Sequence, residues 1–316
     1  MSCHMGKGKQ RKGKWLKIEL SVPSELVDAV SNFVTELGAQ GIYQEIGKPP
    51  FTNEFPESVN KETLKAFFPS DARWKNRLAS LKKYMESLSR LFPHLKKSRL
   101  SVETIEDENW GEEWKKYFLP LRVSKHIVIK PTWERYSPAG HDIVIEIDPG
   151  MAFGTGQHPS TRMCMEALED VLLKHRNVEQ LRVLDVGTGT GIIGIACAKL
   201  GVKKVVCVDI DKKATEIAKE NAAINQVEDM VEIINGDVLT IHESFDLIIA
   251  NLTAKMLIKL RTHFLSLLKK NGWLIISGII EQNKDDIEKH FNAEPFISSQ
   301  VFSEMDWRCY IFKKGD

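Results

Sequence analysis

Residues 183–191 read Val-Leu-Asp-Val-Gly-Thr-Gly-Thr-Gly, and residues 206–211 read Val-Cys-Val-Asp-Ile-Asp. In the first stretch an apolar strand leads into a glycine turn and then a helix, and in the second a strand ends in an acidic residue. This arrangement is typical of a parallel α/β sheet that binds a nucleotide at the carboxyl ends of its strands. The two stretches therefore predict an α/β fold and limit the cofactor to a few that contain a nucleoside.

The same alternation of strands and helices continues through the rest of this half of the chain. Five strands are predicted between helices, near residues 182–186, 204–208, 230–234, 245–250 and 272–278. Such alternation predicts a parallel sheet with helices on both faces. Two more strands, near residues 296–303 and 307–313, have only a turn between them, so we expect them to pair antiparallel. Residues 122–130 and 142–148 are also predicted strands, which could form a hairpin.

Residues 15–105 follow another pattern. A strand over Trp15–Val22, a helix ending at Gly38, strands over Gly41–Ile46 and Thr63–Phe68, a helix over Trp74–Phe92 and a strand over Arg99–Ile105 give the order βαββαβ. This order predicts a small ferredoxin-like α+β domain. The predicted organisation is a disordered basic tail over residues 1–14, the small domain over 15–105, a linker helix over 106–120 and the α/β domain over 121–316.

Composition excludes few functions but favours a soluble intracellular protein. The 316 residues carry a formal net charge of +1, so bulk charge indicates neither nucleic-acid nor membrane binding. The five cysteines form no CxxC pair, and several fall inside apolar segments, as reduced buried thiols do. No apolar run approaches the roughly 20 residues of a membrane span, and the basic amino end is not followed by an apolar run. We expect a cytoplasmic monomer that binds no metal.

The glycine turn is compatible with two cofactors. Residues 189–194 fit the pattern GxGxxG, and Asp209 follows at the distance that a dinucleotide site requires, which would suit an NAD-dependent dehydrogenase. Three features favour S-adenosylmethionine instead. Asp185 lies in the strand, where a carboxylate suits a cationic ligand. The additional Gly187 extends the motif to GxGxG, and the chain has no second mononucleotide-binding half.

For that cofactor, each polar residue has an expected role. Gly187 and Gly189 would let the backbone approach the ligand closely. Asp209 would accept hydrogen bonds from both ribose hydroxyls. Asp237 could accept one from the adenine amine, although a plain turn residue is an equal alternative for it.

Two further passages indicate the acceptor of the reaction. Residues 148–161 form a glycine loop that leads into a helix: Phe153 could stack on a flat ring, Thr161 could bond a ligand and His158 could be a contact or a structural residue. Asn251 follows a central strand but lacks the proline pair and aromatic residue that usually serve planar nitrogens. An aliphatic amine needs only deprotonation and in-line placement. The residues therefore favour a lysine side chain or an amino terminus as acceptor.

These motifs together resemble a known family, the bacterial methyltransferases of large-subunit ribosomal protein L-eleven (PrmA family). The matching stretches are Asp148-Pro-Gly-Met-Ala-Phe-Gly-Thr-Gly-Gln-His-Pro-Ser-Thr161, the two quoted at the outset, Asn251-Leu-Thr-Ala254, Glu106-Asp-Glu-Asn-Trp-Gly-Glu-Glu-Trp114 and Ile129-Lys-Pro-Thr-Trp133. The family usually has Asn-Ile-Leu-Ala where this chain has Asn251-Leu-Thr-Ala254.

The resemblance implies a class I methyltransferase with a Rossmann-like sheet, whose small domain recognises the ribosomal protein. It implies that Thr161, Gly187, Asp209 and Asn251 contact S-adenosylmethionine and that lysine and amino-terminal amines receive methyl groups. For the displacement itself we expect Asn251 to orient the amine, with His158 as a second candidate. Alternatives are methylation of another protein's lysines, an RNA methyltransferase and an adaptor without activity. The favoured function requires neither direct nucleic-acid binding nor a membrane partner, and the near-zero net charge counts against the RNA methyltransferase.

Overall fold

The computed structural model forms two compact units, residues 1–118 and residues 119–316. Among the residues described, no helix combines the length and the hydropathy that a bilayer crossing needs. The structure describes residues 14–23, 26–39, 41–45, 62–93, 98–106, 115, 118–148, 156–292 and 294–315. The predicted basic tail, apart from its last residue, and most of the predicted linker helix lie outside these ranges.

The first unit contains each strand and helix that the sequence predicts for it. In chain order these are β1 (Lys14–Val22), α1 (Val27–Glu36), β2 (Gly41–Glu45), β3 (Glu62–Pro69), α2 (Trp74–Leu91) and β4 (Arg99–Glu106). The four strands form an antiparallel sheet with the order β2-β3-β1-β4. Alternate residues of β1, namely Leu16, Ile18 and Leu20, are buried, because successive side chains of a strand point to opposite faces.

The second unit contains two sheets. Its elements are β5 (Leu121–Arg122), β6 (Ile127–Pro131), β7 (Ile143–Ile147), α3 (Pro159–Leu172), β8 (Arg182–Val186), α4 (Ile192–Lys199), β9 (Lys204–Asp209), α5 (Lys212–Ile224), β10 (Val231–Asn235), β11 (Phe245–Asn251), α6 (Ala254–Leu267), β12 (Leu268–Ile280), α7 (Lys284–Phe291), β13 (Phe296–Glu304) and β14 (Trp307–Lys314). The five strands predicted between helices are confirmed as β8 to β12.

The larger sheet has seven strands in the order β10-β9-β8-β11-β12-β14-β13. Neighbours from β10 to β12 are parallel, whereas β14 pairs antiparallel with both β12 and β13. Both faces of this sheet are buried: Val183 belongs to one apolar cluster and the next residue, Leu184, to the other, and neither is exposed. This two-sided burial explains why the strands are continuous apolar runs.

The smaller sheet corrects one prediction. β5 pairs antiparallel with β6, but β6 pairs with β7 in parallel, Ile127 opposite Ile143, so residues 122–130 and 142–148 do not form a hairpin. The chain between β6 and β7 is long enough to return to the starting end of β6, where Ile143 N donates to His126 O at 2.7 Å. Ile129 and Ile145 of this sheet join the same apolar cluster as Val183.

Candidate active site

The carboxyl ends of four neighbouring strands, β9, β8, β11 and β12, meet at one edge of the seven-stranded sheet. Val186 lies opposite Val208 and Ala250, and Asn251 lies opposite Ser277. The glycine turn after β8, the acidic end of β9 and the asparagine at the end of β11 are therefore adjacent. Open α/β sheets bind ligands at this edge.

The turn between β8 and α4 depends on its glycines. Gly187, Gly189 and Gly191 have φ angles of 72°, 56° and 81°, a region that residues with side chains rarely adopt. A Cβ on Gly187 would lie 2.6 Å from Leu252 Cδ2, so the turn packs directly against the residue after Asn251. No side chain at Gly187 or Gly189 separates the backbone of the turn from a ligand.

Asp209 is held by the backbone through both carboxylate oxygens. Its Oδ2 accepts a hydrogen bond from Gly189 N at 3.0 Å, and its Oδ1 accepts one from Asp211 N at 2.9 Å. A carboxylate offers about four acceptor sites, so each oxygen can accept another hydrogen bond. The next residue, Ile210, is 78% exposed, more than any other large apolar side chain that the structure describes, and the sequence analysis assigned it no role.

Asp185 differs from Asp209 in its surroundings. It is fully buried, and its Oδ2 accepts hydrogen bonds from Thr188 Oγ1 at 2.5 Å and Gly194 N at 3.2 Å. Burial raises the pKa of Asp185 from 3.8 to about 6, although these two hydrogen bonds oppose the shift. The direct contact with a cationic ligand expected from the sequence is corrected, because the carboxyl group lies beneath the turn and supports its backbone.

Asn251 contacts the start of α3. Its Nδ2 donates to Thr161 Oγ1 at 3.4 Å, which joins residues 90 positions apart in the chain. Beside this contact the buried Ser277 of β12 donates from Oγ to Ser160 O at 3.0 Å. Two residues that the resemblance assigns to the cofactor, Thr161 and Asn251, are thus brought together.

Gly278 shapes the same region and was missed in the sequence reasoning. Its φ angle is 82°, and a Cβ there would lie 2.6 Å from Leu252 O and 3.0 Å from Asn251 Oδ1. Only a residue without a side chain allows β12 to approach Asn251 so closely. The available signal was a glycine at the carboxyl end of a predicted central strand.

His158 caps α3. Its Nδ1 accepts a hydrogen bond from Ser160 N at 3.1 Å and lies 2.6 Å from Ser160 Oγ, and its ring packs edge-on against Trp307 with centroids 4.4 Å apart. Burial, with a smaller effect of the Arg162 charge, lowers the pKa of His158 to about 3. The ring is therefore neutral at neutral pH, and the geometry supports the structural alternative rather than a proton acceptor.

Asp237 and Phe153 are the other two residues predicted to contact the cofactor. Asp237 precedes a short 3₁₀ turn, Val238–Thr240, and its Oδ1 accepts a hydrogen bond from Leu239 N at 3.0 Å, so its turn role is confirmed. A hydrogen bond from adenine to its exposed carboxylate stays a prediction. Phe153 lies outside the described residues. Within the described ranges, no group of three or more His, Cys, Asp or Glu could hold a metal ion.

Comparisons with known proteins agree on one family. Residues 14–315 match the family model described as ribosomal protein L11 methyltransferase (PrmA). Proteins named ribosomal protein L11 methyltransferase from Geotalea daltonii and Caldicellulosiruptor saccharolyticus are 34% and 36% identical to the chain, over 93% and 95% of it and 96% and 100% of their own lengths. A crystal structure of ribosomal protein L11 methylase from Lactobacillus delbrueckii subsp. bulgaricus, 33% identical, superposes with a TM-score of 0.58 over 63% of this chain and 100% of that one.

Proposed function

The chain belongs to the ribosomal protein L11 methyltransferase family, and on that premise we propose that it methylates amines of ribosomal protein L11 with S-adenosylmethionine as donor. The observation that carries the proposal is the hydrogen bond between Asn251 and Thr161 beside the glycine turn. This contact places a side-chain amide and a hydroxyl next to a backbone turn that a ligand can approach closely.

The residues at the edge of the sheet fit this cofactor. After β12 the sheet ends in the antiparallel strands β14 and β13, so the second mononucleotide-binding half of a dinucleotide fold is not formed by the described strands. Asp209 stands beside the turn with both oxygens oriented by the backbone. A carboxylate with free acceptor sites beside the turn suits the ribose hydroxyls of a ligand that needs only one nucleotide-binding half.

The cofactor contacts follow from this fit. Gly187 and Gly189 would present backbone to the ligand, and Asp209 would accept the ribose hydroxyls. The exposed side chain of Ile210 offers an apolar surface to the adenine ring, with the Asp237 carboxylate as acceptor for the adenine amine. The loop that leads to Thr161 would complete the site, and the prediction for Phe153 belongs to that loop.

S-adenosylmethionine supplies an electrophilic methyl group on a sulfonium, so the protein's task is to orient and desolvate the attacking amine. Lysine has a reference pKa of about 10.4 and must be neutral to attack. Because Asn251 Nδ2 donates to Thr161, its Oδ1, beside Gly278, would accept an N–H of the amine and direct the nitrogen lone pair. Water can take the proton, since the low pKa of His158 makes it a poor acceptor.

The first unit would recognise the ribosomal protein. Its chain order and its sheet order β2-β3-β1-β4 support the assignment of residues 15–105 as a ferredoxin-like domain. The residues proposed for the chemistry all belong to the second unit, which leaves the first for binding the substrate. A single chain then suffices for activity, and light scattering during size-exclusion chromatography checks the expected monomer.

The decisive experiment offers the protein a choice of acceptors. The chain is incubated with methyl-labelled S-adenosylmethionine and either L11, L11 with its amines acetylated, other large-subunit proteins or ribosomal RNA. We expect label in L11 alone, located by mass spectrometry on lysine or amino-terminal nitrogen. Label in acetylated L11 would exclude amines as acceptors, and label in RNA would support the RNA methyltransferase instead. The D209A variant provides the blank.

A further inference from the structure

Asn221 is a buried polar residue that the roles above do not use. It lies on α5 and is fully buried. Its Nδ2 donates to Thr190 O in the glycine turn at 2.9 Å, and its Oδ1 accepts from Asp148 N at 3.0 Å, just after β7. One partner is a carbonyl and the other an N–H, so the orientation of the amide is fixed by its partners.

The helix that carries Asn221 packs against the glycine turn itself. A Cβ on Gly191 would lie 3.0 Å from Ala218 Cβ, one turn of α5 before Asn221 and on the same face. The helix therefore contacts the glycine turn on two successive helical turns, at Ala218 and at Asn221. This leaves little freedom for Thr190 O to move relative to α5.

A second asparagine, Asn225, follows directly after α5 and contacts β7 but not the turn. Asn225 Oδ1 accepts from Glu146 N at 2.9 Å, and its Nδ2 donates to Glu146 O and to Asn221 O. Both asparagines thus hold the end of β7 against α5. Only Asn221 also bonds the glycine turn.

We propose that Asn221 is a positioning residue that fixes the glycine turn relative to the start of the segment leading to Thr161. The inference rests on the proposed function, in which both parts of the chain bind S-adenosylmethionine. A side chain here must donate at one end, to the carbonyl of the buried Thr190, and accept at the other, from Asp148 N. Aspartate cannot donate when ionised, alanine can do neither, and a buried polar group left without a partner is costly.

The test compares one substitution at two positions. N221D keeps the acceptor for Asp148 N but removes the donor to Thr190 O, and N225D makes the matched change away from the turn. We expect N221D to raise the Kd and the KM for S-adenosylmethionine about tenfold, while the KM for L11 stays within about twofold. N225D should lower the melting temperature to a similar extent and leave the cofactor Kd within about twofold of wild type.

The outcomes separate the inference from the proposed function. If wild type binds no S-adenosylmethionine in calorimetry, the proposed function fails. If wild type binds it and N221D shifts the cofactor Kd no more than N225D does, Asn221 is merely structural and the inference fails alone. Should N221D not fold, N221A removes both hydrogen bonds without adding a charge, and its cofactor Kd decides by the same criterion.

Discussion

The edge of the seven-stranded sheet has two halves that are built differently. At the ends of β8 and β9, carboxylates bond backbone N–H groups of residues no more than 20 positions away, as Asp209 does with Gly189 at 3.0 Å. At the ends of β11 and β12, side chains bond across 90 and 117 positions, as Asn251 does with Thr161 at the longer distance of 3.4 Å. The contacts of the first half join residues that are close in the chain, which suits a binding turn, and those of the second depend on the assembled fold, which suits placement of an acceptor.

The sharpest test of this difference is D209A. Loss of the carboxylate removes two proposed ribose hydrogen bonds and the acceptors of Gly189 N and Asp211 N. Hydrogen bonds to charged groups contribute about 2 kcal/mol each, so we expect a loss of about 4 kcal/mol, or about 1,000-fold in affinity for S-adenosylmethionine by calorimetry. D211A is the matched control, because that carboxylate caps α5 through Lys213 N at 2.9 Å. An unchanged affinity in D209A would remove the first half from the cofactor site.

Asp185, the other carboxylate of the first half, should make the free energy of unfolding depend on pH. The folded pKa of Asp185 is about 6 against 3.8 for the ordinary group, so the folded protein keeps a proton there that the unfolded chain releases. The resulting stability is present below about pH 4 and is lost as pH rises through about 6, a change of about 3 kcal/mol.

D185N removes this titration. In urea unfolding, the stability of wild type relative to D185N should therefore fall by about 2 kcal/mol between pH 4 and pH 7. What decides is how the stability difference between wild type and D185N varies with pH, because a difference that is the same at every pH reflects only the change in packing. A difference that does not vary with pH would mean that Asp185 ionises in the folded protein as it does in the unfolded chain.

The second half should affect turnover more than affinity. N251A removes the proposed acceptor for the amine, so we expect kcat to fall about 30-fold, near 2 kcal/mol, and to fall by more than the cofactor affinity does. T161V should show part of the same defect because Asn251 loses its hydroxyl partner, whereas T161S keeps it and should stay within about twofold. Equal losses of kcat and affinity in N251A would make the two halves functionally alike.

The two halves also differ in what the sequence could reveal. The glycine turn and the position of Asp209 at the end of β9 could be predicted because a strand, a turn, a helix and the next strand are consecutive in the chain, whereas the ribose contact of Asp209 stays a prediction. The contact between Thr161 and Asn251 depends on which strands become neighbours, and one sequence does not specify that order. The resemblance to a family, and not the spacing, connected the two residues.

The remaining differences have equally specific causes. Residues 122–130 and 142–148 looked like a hairpin because no helical pattern separates them to indicate a parallel return. The inward position of Asp185 follows from strand alternation, since Val183, two residues earlier, lies in a buried cluster on the same face. Gly278 gave only a weak signal, because a glycine at a strand end is common.

The smallest expected effect concerns His158, which caps α3 and takes no part in the proposed chemistry of either half. Asparagine is also a good helix cap, so H158N should keep the hydrogen bond to Ser160 N and retain kcat within about twofold. H158A should lower the stability by about 1 kcal/mol through loss of the cap. A kcat loss of about 100-fold in H158N at unchanged stability would identify His158 as a proton acceptor after all.

The two backbone hydrogen bonds to Asp209 have a kinetic consequence. Because Gly189 N and Asp211 N already fix both carboxylate oxygens, a ligand does not need to restrict a freely rotating side chain when it arrives. Preorganisation of this kind reduces the entropy lost on association and removes a conformational step from it. Encounter should therefore lead directly to the ribose contact, and variants that weaken it should differ chiefly in how quickly the bound molecule leaves.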